Sequence, residues 1–422
     1  MIFVVVGRLA SDWAMARALV MEGQAVRCMP ITEDCGLAWG PPGSQRVSEA
    51  QFMAAAREEP TAYCVVSSEP TRSKSLLRFC RSQGIAHIAL NETAPWIEDN
   101  KLQFQQFCET SIGKSLSHYK VSSFEELVRL SLNGSLYLHW TNPKGVSDVL
   151  YVKKGELRAL DQLQGFLSNG GSVTATSEVV GERRTVYGLG SGSSLKIVSP
   201  PIITFPFRQT EGRQIKSGGL GAFGTGELPP SDVVELLERL FLVGANPEKN
   251  CLNVMSLEYV TNESGEIVPI ESDLHLGDPE MQCLLAMLAI PLSDLLVRLV
   301  RDEFESSEGV WSNRRAALVA SVFPTAYRRA NLSFVGRPLS GLDSRLNVDV
   351  GNMGFENGNV IFGPSRTGSV TTYSAKLLAD LQLPDNLQVE PKVVEAAQKQ
   401  YLTALENLPQ RIRQMQIHHL IR

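Results

Sequence analysis

Glu271 and Asp273 stand two residues apart within residues 267–280, IVPIESDLHLGDPE. The pattern of this stretch predicts a strand, and side chains at i and i+2 on a strand face the same way. Two carboxylates so placed can share a hard cation such as Mg²⁺, which takes oxygen ligands. Without a cation or a basic partner, like-charge repulsion would oppose ionising both. Two solvated carboxylates at a strand end is the plainer reading, and spacing alone leaves both open. GDPE then makes a turn, and Pro279 suits the first position of a following helix. A second stretch, SGGLGAFGTG at 217–226, holds five glycines in ten residues. Its unhindered backbone N–H groups can wrap an anion, and a plain surface loop is the alternative. No Gly-Lys-Ser/Thr follows, so it is not a Walker loop, and Gly7 lacks the GxGxxG setting of a dinucleotide site.

The elements that must position these residues follow from the hydrophobic pattern. Strands are predicted at 2–6, 24–30, 62–67 and 86–90, alternating with helices at 11–22 (capped by Ser11 or Asp12) and 73–83. That alternation implies a parallel α/β unit ending near residue 95. Helices follow at 97–112 and 123–133, the latter capped by Ser122 or Ser123. A strand at 136–139 leads into WTNPKGVSD, a turn-rich linker. Strands at 149–153, 173–179, 184–189 and 195–198, separated by Gly and Ser, suggest hairpins. A Ser231-capped helix spans 231–244, strands at 254–260 and 266–271 flank ESGE, and a helix at 279–302 is broken at Pro291. Strands and Gly-rich turns return from about 314, and a last long helix covers 391–406.

Composition narrows the function classes. The 422 residues are 43% hydrophobic and 20% charged, with a net charge of −5 and no polybasic run. A nucleic-acid tract or membrane-surface patch therefore gains little support. No apolar run reaches the roughly 18 residues of a membrane span, and MIFVVV lacks the basic flank of a secretory signal. Seven dispersed cysteines without a CxxC pair read as reduced thiols in the cytoplasm.

Taken in order, the motifs resemble the phosphoribosylamine–glycine ligase (glycinamide ribonucleotide synthetase) family of ATP-grasp enzymes. The family's GGMGAYSPAP block is matched by GGLGAFGTGELPP from Gly218, and its VIEFNxRFGDPETQ block by VPIESDLHLGDPEMQ at 268–282. Ser293-Asp294-Leu295 follows as in the family, and ALVASVFPTAY at 317–327 resembles its next strand and GYPxxY turn. Upstream, Ser67-Ser68-Glu69-Pro70 resembles its VGPE turn, and the helix from Asn100-Lys101 resembles SKxFxKxF. The resemblance implies an ATP-grasp fold of α/β and α+β domains. It divides the chain into an N-terminal parallel α/β domain (1–95), an ATP-grasp region with a small lid (96–190), a central body (191–312) and a C-terminal β-rich domain (313–422).

It also implies a reaction: ATP activates a carboxylate as an acyl phosphate, and an amine attacks to give an amide. The implied cofactors are ATP and Mg²⁺, with Glu271 and Asp273 on the metal, Asp273 standing where the family has Asn. Lys101, His139, Lys144, Glu178, Lys216, Gly218, Gly219 and Gly221 fall in nucleotide- or substrate-facing segments. His275, in the place of an Arg, and Asp278 fall at the catalytic turn. The implied partners are a small amino acid and an amine, with no nucleic acid or membrane, in a monomer or homodimer.

Departures are as informative. The family's IVIKxDGLAAGKGV becomes LYLHWTNPKGVSD, so His139 replaces the phosphate-holding Lys and only Lys144-Gly145 remains of the loop. A neutral imidazole does not replace an ammonium. EEFLDGEE becomes TSEVVGER at 176–183, losing both leading carboxylates, and Lys216-Ser217 replaces Asn-Thr. Two readings follow: a diverged ligase with altered substrates, or a non-catalytic binding or scaffold descendant with an impaired ATP site. Arg183, Arg213 and Lys216 are candidates to compensate for the lost cations. The amino acid, the amine, the pathway and the oligomeric state are not readable from the sequence.

Overall fold

The computed structural model describes residues 1–31, 40–89, 92, 94–141, 147–204, 207–210, 213–216, 221–224, 226–312 and 317–324, with short strand segments as far as 388. The N-terminal run alternates β1 (Ile2–Gly7), α1 (Ala10–Met21), β2 (Ala25–Pro30), β3 (Gln45–Arg46), α2 (Glu49–Glu58), β4 (Tyr63–Val66), α3 (Lys74–Gln83) and β5 (Ala86–Ile88). Its strands lie parallel in the order β5-β4-β1-β2-β3. β1 and β4 are apolar almost throughout, as strands covered on both faces must be.

The entry to α1 differs from the expected cap. Leu9 holds the N-cap position, and Asp12 is the third helical residue. The buried Asp12 carboxylate accepts from Arg8 N and Leu9 N at 3.0 Å each. It also accepts from Ser68 N and Ser68 Oγ at 2.7 Å each. One side chain thus ties the β1–α1 turn to the turn after β4. Gly7 is required by this arrangement, because a Cβ there would lie 1.9 Å from Asp12 Oδ2.

The predicted helix at 97–112 is two helices, α4 (Trp96–Asp99) and α5 (Lys101–Ile112), separated at Asn100. Then β6 (His118–Val121), α6 (Phe124–Asn133), β7 (Leu136–Thr141), β8 (Ser147–Val152), α7 (Asp161–Ser168) and β9 (Val173–Ser177) build a four-stranded antiparallel sheet, β6-β9-β7-β8. Ser123 Oγ caps α6 by accepting from Glu126 N at 3.2 Å. The sheet and its two helices share a separate apolar cluster including Leu127, Leu138, Leu163 and Ala175. Both ends of the expected linker WTNPKGVSD are strand, with Trp140 paired to Asp148 and Thr141 to Ser147, and residues 142–146 lie outside the described residues.

The central sheet is built on β10 (Gly181–Ser191), with β11 (Ser194–Val198) and β12 (Ile202–Thr204) beside it. After the β13 (Phe207–Thr210) and β14 (Arg213–Lys216) hairpin come β15 (Gly221–Gly224), α8 (Ser231–Gly244), β16 (Cys251–Asn262) and β17 (Ile267–Glu271). Pro230, not Ser231, holds the cap position of α8. The expected helix at 279–302 is α9 (Glu280–Met287) and α10 (Leu292–Val300), parted just before Pro291. Pro279 precedes α9 at its cap rather than occupying its first helical position. β18 (Ala317–Pro324) pairs with β15, and β16 runs parallel to β5, so one sheet links the N-terminal strands to the central ones. The predicted helix at 391–406 lies outside the described residues.

Candidate functional site

Lys101 is the first residue of α5, whose cap Asn100 accepts from Gln103 N at 3.1 Å. One turn on, Gln105 is fully buried. Its Nε2 donates to Pro269 O at 3.1 Å and Ile270 O at 3.0 Å, and its Oε1 accepts from Leu116 N at 2.7 Å. A buried amide with these partners is satisfied, and it fixes α5 against β17. Lys101 and Gln105 share a helix face. Lys101 Nζ accordingly reaches the end of β17 and donates to Glu271 Oε2.

Across the antiparallel pair, Glu258 on β16 lies in register with Glu271, beside a bulge at Glu258/Tyr259. Arg183 of β10 places Nε 2.5 Å from Glu258 Oε1, and both side chains are largely buried. Two carboxylates and two cations therefore meet on neighbouring strands and the start of α5. Oxygen-only donors of this kind suit a hard divalent ion.

β7 and β9 form the opposite wall. Alternation turns Leu136 and Leu138 into the apolar cluster of the four-stranded sheet and turns Tyr137 and His139 to the other face. Between that face and the central sheet lies a cavity of about 250 Å³. Its polar lining includes Lys101, Tyr137, His139, Glu178, Arg183 and Glu271, and its apolar lining includes Leu116, Val149, Val179 and Ile270. Tyr151 Oη donates to Glu178 Oε2 at 3.0 Å, and burial pushes the Tyr137 hydroxyl up to about 12.

Asp273 takes a different direction from Glu271. β17 ends at Glu271, so the two-residue repeat that predicted a shared face does not extend to Asp273. Its Oδ2 accepts from Ser256 Oγ at 3.3 Å. One oxygen of Asp273, one of Glu98 and a ring nitrogen of His275 all lie within 4.8 Å of one another. His275 Nε2 is 3.6 Å from Glu98 Oε1, and its Nδ1 lies 3.0 Å from Leu276 O. Burial acts to lower the His275 pKa, but the Asp273 and Glu98 carboxylates outweigh it and raise it. Burial raises Glu98 against the lowering effect of His275. On the next turn, Asp278 Oδ1 accepts from Gln282 Nε2 at 2.7 Å, and the fully buried Tyr187 accepts from Gly277 N at 3.0 Å.

The structure thus brings Lys101, His139, Glu178 and Glu271 to one cavity and groups Asp273 with His275. Gly221, expected in an anion-wrapping loop, instead opens the buried strand β15, because the GAFG segment completes the central sheet between β12 and β18. Lys216 ends β14, with its side chain outside the described residues. Lys144, Gly218 and Gly219 also lie outside them. Sequence reasoning missed Glu258 and Glu98. The signal for Glu258 was a single carboxylate inside the apolar run LNVMSLEYV, where an unpartnered charge would be costly. Glu98, in WIEDN, carries no comparable signal.

The architecture is shared with solved structures. Phosphoribosylamine–glycine ligase from Thermotoga maritima aligns with a TM-score of 0.64 and 15% identity, over 92% of this chain and 98% of its own. The biotin carboxylase domain of 2-oxoglutarate carboxylase from Hydrogenobacter thermophilus, solved with MgADP and bicarbonate, gives 0.64 and 10%, over 99% and 98%. N5-carboxyaminoimidazole ribonucleotide synthetase from Thermus thermophilus gives 0.55 and 13%, over 97% and 99%. The chain has the fold of these structures, the ATP-grasp fold. In sequence it is similar to the phosphoribosylamine–glycine ligase of Synechocystis sp., with 28% identity over 134 residues, 29% of this chain and 31% of the relative. The match therefore spans about a third of that relative's length. No known family profile matches the chain. Among the described residues no helix is long and apolar enough to cross a membrane.

Proposed function

We propose that the chain is an ATP-dependent carboxylate–amine ligase. ATP would pass its γ-phosphoryl group to a substrate carboxylate, and an amine would displace phosphate to leave an amide, ADP and phosphate. The cavity shared by Lys101, His139, Glu178 and Glu271 is the observation that carries this reading. The apolar side chains around it suit a flat heteroaromatic ring, and Lys101 suits a phosphate oxygen. Glu258 and Glu271 are the carboxylates that would hold Mg²⁺, which supplies charge neutralisation for the transferred group. His275 and Asp278, on the segment leading to α9, would face the amino acid and the amine. The protein's part is to hold these groups together and exclude water from the activated carboxylate.

One observation favours a second reading. Lys101 on Glu271 and Arg183 on Glu258 already balance the acidic pair, as they would in a binding protein that does no chemistry. Calorimetric titration with a non-hydrolysable ATP analogue and Mg²⁺ tests the site. ADP release measured across a panel of amino acids and amines tests the reaction. Binding with substrate-dependent ADP release supports the ligase. Binding without turnover supports the non-catalytic reading, and neither would remove both.

A further inference from the structure

Glu98, Asp273 and His275 come from two segments distant in sequence, the end of α4 and the turn between β17 and α9, and are half-buried. The imidazole Nδ1 faces Leu276 O at 3.0 Å. With Nδ1 turned to that carbonyl, Nε2 is the ring nitrogen left facing the two carboxylates. One ring nitrogen and two carboxylate oxygens thus converge within 4.8 Å of one another. The 3.6 Å between His275 Nε2 and Glu98 Oε1 is too long for a hydrogen bond. It is close to the separation of two donors that each lie about 2.1 Å from a common ion at a tetrahedral angle, about 3.4 Å.

Each of the three is also held from behind. Glu98 Oε2 accepts weakly from Leu274 N at 3.4 Å, Asp273 Oδ2 accepts from Ser256 Oγ at 3.3 Å, and His275 uses Leu276 O. Outer partners that leave one donor atom per residue facing inward are the usual support of metal ligands. We propose that Glu98, Asp273 and His275 bind a divalent transition-metal ion of the Zn²⁺ or Co²⁺ class, in a site sharing no ligand with the Glu258–Glu271 pair. The nitrogen donor sets the selectivity: imidazole suits these ions, whereas Mg²⁺ takes oxygen ligands. Three protein ligands leave open positions for water or a substrate oxygen. The resemblance assigns Asp273 to Mg²⁺, and the geometry assigns it here.

Co²⁺ is the probe, added to the full chain without nucleotide and with millimolar Mg²⁺ present. One equivalent should give visible d–d absorption that Mg²⁺ does not displace. His275→Ala and Glu98→Gln should each weaken Co²⁺ binding at least tenfold, with circular dichroism confirming the fold. Ser256→Ala should weaken it by roughly 10–100-fold, as loss of an outer partner does. Glu271→Gln should leave it unchanged. Equal Co²⁺ affinity in wild type and His275→Ala would overturn the site. So would an intense near-ultraviolet thiolate band, which would put the ion on a cysteine, or no binding at millimolar Co²⁺. No nucleotide enters this experiment, so it can fail while the ligase reading stands, and the reverse.

Discussion

Replacing Lys101 by Met separates what this residue does for the fold from what it does for a ligand. A cation at the first position of a helix opposes the helix dipole by about 0.3–1 kcal/mol, so Lys101 is locally unfavourable where it stands. Its compensation is Glu271. The two side chains keep 17% and 15% of their surface exposed. Removing one partner of a fully buried pair costs about 3–5 kcal/mol, and exposed pairs are worth about 0–1. With residual exposure discounted and the dipole relief subtracted, Lys101→Met should destabilise the protein by about 2 kcal/mol. Urea unfolding without divalent ions measures this. The Glu271 carboxylate then faces Glu258 across the strand pair with one cation fewer, and Mg²⁺ becomes the natural replacement. An ion at ten times its dissociation constant adds about 1.4 kcal/mol of stability. Mg²⁺ should therefore restore most of the loss in the variant while stabilising wild type less.

The same substitution should weaken an ATP analogue. One charge-assisted hydrogen bond is worth about 1.5–3 kcal/mol, or roughly 10–150-fold in affinity. A variant as stable as wild type, with the same Mg²⁺ response, would refute the placement of Lys101 as the counter-ion of Glu271. Unchanged nucleotide affinity would refute its reach to phosphate.

Three further outcomes follow from other turns of the fold. Burial raises the Asp12 pKa to about 6 from 3.8, so the folded state holds this proton more tightly than the unfolded one. Its contribution to stability is full below pH 4 and falls by about 3 kcal/mol as pH rises through 6. The difference in unfolding free energy between wild type and Asp12→Asn should therefore move by about that amount, in the variant's favour, between pH 4 and 7, and a pH-independent difference would count against it. Gly7→Ala drives a Cβ to 1.9 Å from Asp12 Oδ2 and should cost more than about 2 kcal/mol. The penalty should be smaller in an Asp12→Ala background, read by a double-mutant cycle in urea. Tyr187→Phe removes the acceptor for Gly277 N and should cost about 1–3 kcal/mol, measured as a lower midpoint in thermal unfolding.

Elements defined by local pattern were legible in the sequence. The amphipathic α6 and α8 and the apolar β1 and β4 announce themselves by periodicity, and Pro291 marks the break between α9 and α10. α2 and α7 were missed because they are short, at 10 and 8 residues, although Phe52 and Ala56, and Leu163 and Leu167, keep the four-residue helical spacing. The GAFG segment read as loop because glycine-rich composition masks a strand whose stability comes from pairing with β12 and β18. Lys101, His139, Glu178 and Glu271 were readable one by one, through resemblance. Their common cavity was not, since it is made where the four-stranded sheet meets the central one.

The acidic residues show why spacing could not sort the site. Glu271 and Asp273 are neighbours in sequence, yet β17 ends between them and each carboxylate meets partners that no local rule supplies. Lys101 comes from 170 residues upstream, and Glu258 from the facing strand. Glu98 is brought to Asp273 and His275 by a helix that packs elsewhere in the chain order. Lys101 faces Glu271, Arg183 faces Glu258 and His275 faces Glu98, each from another element. Electrostatic balance, then, is a property of the assembled sheet and helices. A substitution at Lys101, Arg183 or His275 should accordingly act on the carboxylate facing it across space more than on its own strand or helix.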